Sequence, residues 1–380
     1  MANTSVFKID QDFAKNKIIE AQGLNQKKPF GLGVSAVSKA VSHLGYVQID
    51  TINVVERCHH HILYNRIPDY KTQYLHEAQS QEKSVFEYWT HALSYISTSD
   101  YKYFLHRMQN MGDLNYFKSV TDEDYKKVRA LLKNGPLGIR DIKDDVKIEK
   151  THLWGTSKPS KKALEFGFYK GDFTVSERNG IIKQYDLSQR HFNWKTKPKP
   201  ATEIEYGEYI LNRALRSQVF VNADSICYLE NKRKNLIKGL LQKKLEKHEL
   251  VEVILPNFER TQLYAQPEVL DVKTASSKLT HILSPFDPLV IQRKRLKMFF
   301  DYEHLFEAYI PKEKRKYGYF TLPVLHKNNF IALLDLKVDR ERQKLLIQNW
   351  VWLKKYKSSE LKKIIDIELD RFEKFQLKRD

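Results

Sequence analysis

Gln48 and Asp50 are the two side chains in this sequence whose types and spacing best fit water-directing or charge-stabilising chemistry. They stand in Gly45-Tyr46-Val47-Gln48-Ile49-Asp50-Thr51-Ile52-Asn53-Val54-Val55, a run rich in β-branched residues, which favours an extended segment. Residues two apart in such a segment share a face, so the carboxamide and the carboxylate are expected side by side. Backed by hydrophobic surface, that pair can hold a water and stabilise a nearby positive charge. A strand edge with a wet face would use the same residues, so the surrounding chain has to decide.

The elements that must position this pair can be read from periodicity. Val34, Val37, Val41 and Leu44 recur at helical spacing, so residues 34–44 form a helix entering the Gln48 segment. Val85–Ser97 is aromatic and apolar, and Tyr101–Met111 reads as a further helix. From Thr121 to Gln189 the order is more specific: an amphipathic helix over Asp122–Leu132, a turn at Gly135-Pro136-Leu137, and a short helix near Arg140. A helix capped by Ser160 runs through Phe166, and a hairpin of Phe173–Arg178 and Ile181–Leu187 turns at Asn179-Gly180. That is the order of a winged helix, with Lys161 and Lys162 on the recognition helix and Arg178 and Lys183 on the wing. A similar layout recurs from Glu203 to Val269, where Asp224 caps a short helix before the long basic one at Lys232–Lys247. Strands at Tyr317–Leu325, Phe330–Val338 and Lys344–Leu353 and a helix from Ser358 or Ser359 to Leu377 close the chain.

The expected fold class is therefore α+β: tandem winged helices with a small C-terminal β-sheet and helix. Four parts are expected: 1–115 with the Gln-x-Asp motif, 116–200 and 201–272 as winged helices, and 273–380 with a Ser-Pro-Phe-Asp loop. The 380 residues carry 65 basic and 47 acidic side chains, a net charge of +18. Such an excess favours a polyanion, and with lysines interleaved among aromatics the leading partner is nucleic acid. Arg293, Lys294, Arg295 and Lys297 are candidates to grip phosphates, and His59 or His60 to touch DNA. No run approaches the roughly 18 apolar residues of a membrane span, and the N-terminus lacks a signal core. Cys58 and Cys227 lie far apart, as reduced thiols of a cytoplasmic protein would. No dimerisation coiled coil is evident, so a monomer is expected.

Several stretches, in order along nearly the whole chain, resemble one family. They are Leu44-Gly45-Tyr46-Val47-Gln48-Ile49-Asp50 with Asn53, Arg57 and His59, then Phe86-Glu87-Tyr88-Trp89-Thr90-His91 and Gly135-Pro136-Leu137. Tyr185-Asp186-Leu187 with Arg190 follows, then Leu283-Ser284-Pro285-Phe286-Asp287-Pro288-Leu289-Val290 with Arg293. Arg315-Lys316-Tyr317-Gly318-Tyr319 and Ala332-Leu333-Leu334-Asp335-Leu336-Lys337 complete the set. The set resembles the winged-helix DNA glycosylases of the AlkZ/YcaQ group, which act on alkylated bases and interstrand crosslinks. The resemblance implies Gln48-Ile49-Asp50 as catalytic signature, in the branch that carries aspartate and tolerates N7-alkylguanine and crosslinked lesions. It implies DNA contacts at Asn53, Arg57, His59, His60, His91, Lys161, Lys162, Arg178, Asp287, Arg293, Arg315 and Lys316. One departure stands out: many relatives carry Glu after the histidine of the Trp-x-His stretch, where this chain has Ala92.

On that resemblance the substrate is double-stranded DNA with alkylated bases and the product an abasic site. N7-alkylation makes the guanine a cationic leaving group, and cleavage develops oxocarbenium character on the sugar. Asp50 would stabilise that cation and draw a proton from the attacking water, which Gln48 would orient. No lysine stands beside them for a Schiff base, so a monofunctional enzyme without cofactor is expected. A crosslinked guanine cannot swing out of the helix, which favours an open cleft. Asp287, between two prolines, would either cap neighbouring amides or contact the site. Cys58-His59-His60-His61 is not expected to hold a metal, because consecutive side chains diverge. A non-enzymatic winged-helix regulator is the alternative.

Overall fold

The computed structural model describes residues 6–109, 115–143, 158–271, 276–353 and 356–377. The end of the expected helix at Met111 lies outside the described residues. The chain is mixed α+β with small sheets, and it forms two compact units. The first comprises Met1–Tyr74, His91–Leu93 and Gly207–Asp380, the second Leu75–Thr90 and Ser94–Tyr206. Among the described residues no helix is long and apolar enough to cross a membrane.

The second unit follows the sequence periodicity closely. Thr121 caps the helix Asp122–Lys133 by accepting from the Asp124 amide. A short strand, Leu137–Gly138, pairs with Ile182–Leu187, which pairs in turn with Phe173–Asn179. Asn179 faces Ile182 across the hairpin, so Gly180 and Ile181 form the loop, and Gly180 takes φ +61° as glycine allows in tight hairpin turns. The helix before it runs Pro159–Tyr169 with Lys158 at its cap position, so Ser160 lies inside the helix rather than capping it. Pro159 starts the helix because its ring presets φ and the first turn needs no amide from it.

The first unit holds a large apolar core in which Ile18, Ile19 and Leu24 near the N-terminus pack with Phe220, Val253, Leu283, Val290, Phe299 and Leu333. Two sheets frame it. Thr280–Ile282, Thr321–His326, Asn329–Asp339 and Lys344–Trp352 form a four-stranded antiparallel sheet. Val6–Lys8 lies parallel to Val251–Ile254, which pairs antiparallel with Leu263–Ala265. The expected two-stranded wing after residue 250 is thus completed by the N-terminal strand. The short helix Ala223–Ile226 is capped by Asn222, not Asp224: Asn222 accepts from the Ser225 amide at 2.9 Å. Asp224 pairs instead with Lys234 at 2.6 Å.

Candidate active site

The helix Gly33–Leu44 ends at Gly45, which takes φ +81° and returns its N–H to the Val41 carbonyl. Glycine is required here twice over, because a Cβ would also sit 2.2 Å from Cδ of Arg213. The chain leaves this cap extended, with a two-residue strand at Val47–Gln48, and the Ile49 amide donates to the Leu93 carbonyl at 2.8 Å. Tyr46 and Gln48 alternate onto one face and both meet His91. The Tyr46 ring stands edge-on to the imidazole at 4.9 Å. Gln48 Oε1 accepts from His91 Nε2 at 3.0 Å, which requires the Nε2–H tautomer. Tyr228 flanks the other side of the ring at 5.2 Å, and its hydroxyl donates to the Ile291 carbonyl.

The Gln48 amide therefore has a defined orientation. Its oxygen is occupied by His91, so the group it offers to a ligand or water is the NH2 donor. Its backbone is tied as well, since the Cys58 thiol donates to the Gln48 carbonyl at 3.1 Å. Burial and then the charge of Asp50 push the Cys58 thiol well up, so it stays protonated and keeps donating. Asp50 is half-buried and accepts the Ile52 amide at 2.8 Å. Its carboxyl is raised above the ordinary aspartate value chiefly by burial, against the Ile52 and Thr51 amides, which pull it down. Cys58 thus brackets the pair, bonded to Gln48 and within electrostatic reach of Asp50.

Loop 50–55 is fastened to the C-terminal sheet. The Val338 amide donates to the Val54 carbonyl at 2.7 Å, and Arg340 donates to Asn53 at both its carbonyl and its Oδ1. Arg57 is half-buried, its Nη1 3.9 Å from Glu56 Oε1, and the Glu56 amide is held by Gln376.

Several other expected DNA contacts are committed elsewhere in the structure. Asp287 is fully enclosed in an ion pair with Arg66, at 2.7 and 3.0 Å, and also accepts from the Leu289 amide. Its position after Pro285 and before Pro288 sets up that helix cap, which serves the core and not a solvent-borne partner. Arg293 spends its guanidinium on the Val290 and Pro285 carbonyls, and burial lowers its pKa to about 10. Lys162 is buried, bonded to the Ser119 hydroxyl at 2.6 Å. Arg178 is paired through two bonds with the buried carboxylate of Glu87. Arg178 therefore secures the second unit's interior. Its partner is a carboxylate that hydropathy alone would place in solvent.

His59 is buried with its ring 4.4 Å from that of His60, whose Nδ1 meets the Tyr70 hydroxyl at 2.8 Å. His61 meets the Ile282 carbonyl, and burial lowers its pKa to about 4. Cys58, His59, His60 and His61 all lie on the helix Cys58–Tyr64. Lys161 is half-buried, 4.0 Å from Glu165, and Arg315 and Lys316 lie on an open loop over the rings of Tyr319 and Tyr317. Roles not anticipated from sequence are those of Tyr46, Arg66 and Tyr228, which act across long sequence separations, and of Cys58, whose thiol reaches back to the Gln48 carbonyl.

Over nearly its whole length the chain has the fold of a solved DNA glycosylase. The match is to Streptomyces sahachiroi DNA glycosylase AlkZ, with a TM-score of 0.63 and 15% identity, covering 97% of each chain. The sequence profile described as DNA glycosylase AlkZ-like matches residues 41–375, and the chain belongs to that family. The matched region contains every residue of the Gln48, Asp50, Cys58, His91 and Tyr228 arrangement.

Proposed function

We propose that this DNA glycosylase removes N-alkylated purines of the N7-alkylguanine type, by hydrolysis directed by Asp50 and Gln48. The observation that carries the reading is the His91–Gln48 hydrogen bond beside a half-buried Asp50. An alkylated guanine leaves without protonation, so the site needs no general acid. It needs a carboxylate near the developing sugar cation and a donor that fixes water. Asp50 supplies the negative charge and accepts a proton from the water. The Gln48 NH2 donates to the water oxygen, leaving its second lone pair aimed at the sugar carbon. No lysine takes part, the product is an abasic site, and the enzyme acts as a monomer on duplex DNA. The half-exposed carboxylate is compatible with a lesion approached in place, so crosslinked guanines are included among the substrates.

We read the helix, short strand, helix and hairpin of residues 122–187 as a winged helix, and that of 203–265 as a second. The four-part division given above is kept as a proposal about modules. Asn53, Arg57, His60, Lys161, Arg315 and Lys316 remain the proposed DNA contacts, and His91 is assigned instead to orienting Gln48. The test is direct: incubate the protein with duplex containing 7-methylguanine, then heat in alkali. Strand breaks at the modified guanines are expected, and intact strands would leave only a binding role.

His91 is a positioning residue in this scheme. His91→Ala removes one hydrogen bond to the Gln48 amide, worth about 1 kcal/mol, so kcat falls roughly fivefold while KM is little changed. His91→Gln restores a donor and recovers part of that loss. An unchanged kcat in His91→Ala would separate the histidine from catalysis.

A further inference from the structure

The loop of residues 315–320 is held by two buried carboxylates in succession. Glu307 accepts the amides of Lys316 at 2.6 Å, Tyr317 at 2.8 Å and Gly318 at 3.3 Å. Asp335 accepts those of Tyr319 at 2.9 Å and Phe320 at 3.1 Å. Five consecutive amides are thereby fixed from beneath, and Gly318 is required by the closeness of that anchor. Its φ is +156°, and a Cβ there would lie 2.1 Å from Asp335 Oδ2. The Asn349 side chain adds a bond to the Tyr317 carbonyl at 2.7 Å.

The outer surface of this loop forms one wall of an open cleft of about 550 Å³, lined also by Val54, Lys312, Lys337 and Gln348. Lys312, Lys316 and Lys337 are exposed, and none of the three makes an ion pair among the described residues. Arg315 donates through Nε to the Ile310 carbonyl at 2.8 Å. The one carboxylate in the lining, Asp335, has its oxygens turned to the loop amides, so the cleft presents cations and withholds its anion. Its floor reaches Val54, whose carbonyl is bonded to Val338, four residues after the Asp50 carboxylate.

We propose that this cleft is a phosphate clamp for the DNA strand flanking the lesion, with Lys312, Arg315, Lys316 and Lys337 contacting phosphodiester oxygens on a prefixed loop. The proposal rests on the glycosylase reading for its purpose and not for its test. Exposed lysines on flexible stems are usually weak binders, because ordering them costs side-chain entropy. Here the amides of residues 316–320 are already hydrogen-bonded to Glu307 and Asp335, so the backbone that carries Lys316 needs no further ordering on binding. The contacts carry no sequence information, which suits an enzyme that must find damage in any sequence.

The experiment is the salt dependence of binding to undamaged duplex, followed by fluorescence anisotropy, for wild type and Lys312→Ala/Lys316→Ala/Lys337→Ala. Each phosphate contact contributes about 0.9 to the slope of log affinity against log salt. The triple variant is expected to lower that slope by roughly 2 to 3, and to weaken binding at least tenfold at low salt. Lys316→Gln alone, which leaves the backbone anchors untouched, lowers the slope by about 0.9 and serves if the triple variant folds poorly. An unchanged slope in both variants overturns the proposal, as does a change seen with duplex RNA but not with DNA. Failure of wild type to release any base would refute the catalytic reading while leaving this comparison decisive for the cleft.

Discussion

Asp50→Asn is expected to lose base excision by about 10³-fold while binding duplex DNA as well as wild type or better. The substitution keeps the shape and removes the charge, so it isolates the electrostatic role. A carboxylate acting on a developing oxocarbenium ion, and again as proton acceptor for water, contributes to the transition state more than to ground-state binding. Removing a negative charge from a surface that meets DNA does not weaken that encounter. The pH profile adds a second check. The Asp50 carboxyl is raised by burial, so the active, ionised form is lost as pH falls through a value above that of an ordinary aspartate.

The sign for stability is the opposite. A raised folded-state value means that ionising Asp50 destabilises the fold, and the penalty accumulates as pH rises from the ordinary aspartate value through the raised one. At neutral pH Asp50→Asn should therefore melt no lower than wild type, and the difference should vanish at strongly acid pH. A variant that is both inactive and unfolded would show that Asp50 is a structural residue. A variant that excises at the wild-type rate would remove it from the chemistry.

The second large effect is on stability. Asp287→Ala is expected to cost about 3–5 kcal/mol, read as a shift in the urea unfolding curve. Both members of the Arg66–Asp287 pair have side chains wholly shielded from solvent. Arg66 also donates to the Gln22 carbonyl at 2.8 Å and the Ile62 carbonyl at 3.0 Å, so it joins three segments distant in sequence. Deleting the carboxylate leaves a buried guanidinium with no counter-charge, which is far more costly than losing the pair as a whole. Arg66→Met/Asp287→Leu should accordingly be less destabilised than Asp287→Ala alone. Unfolding of Asp287→Ala within about 1 kcal/mol of wild type would show that solvent reaches the pair.

Local order was readable in the sequence, and long-range pairing was not. The helix before Gln48, the hairpin of residues 173–187 and the three C-terminal strands follow from periodicity and turn residues, because those signals act over a few positions. The strand Val6–Lys8 pairs with Val251–Ile254, and three residues of weak pattern give no sign of a partner so far away. The same applies to the site. Alternation leads to the expectation that Gln48 and Asp50 share a face, but the bond that orients Gln48 comes from His91, 43 positions on. Charged residues misled most. Arg178, Lys162 and Arg293 look like surface groups by composition, yet Arg178 pairs with the buried Glu87, Arg293 donates to backbone carbonyls and Lys162 is itself buried. Asp287 takes the capping role that was one of its two expected readings. Lysines and arginines enter an interior only where such partners exist, and the sequence does not display the partner.

The most direct measurement is the amount of free 7-methylguanine released from a labelled duplex in a single turnover, with the strand examined before any alkali treatment. Wild type should release stoichiometric base and leave an intact strand bearing an abasic site, and Asp50→Asn should release almost none. Equal release by the two proteins, or strand scission without alkali, would contradict hydrolysis directed by Asp50.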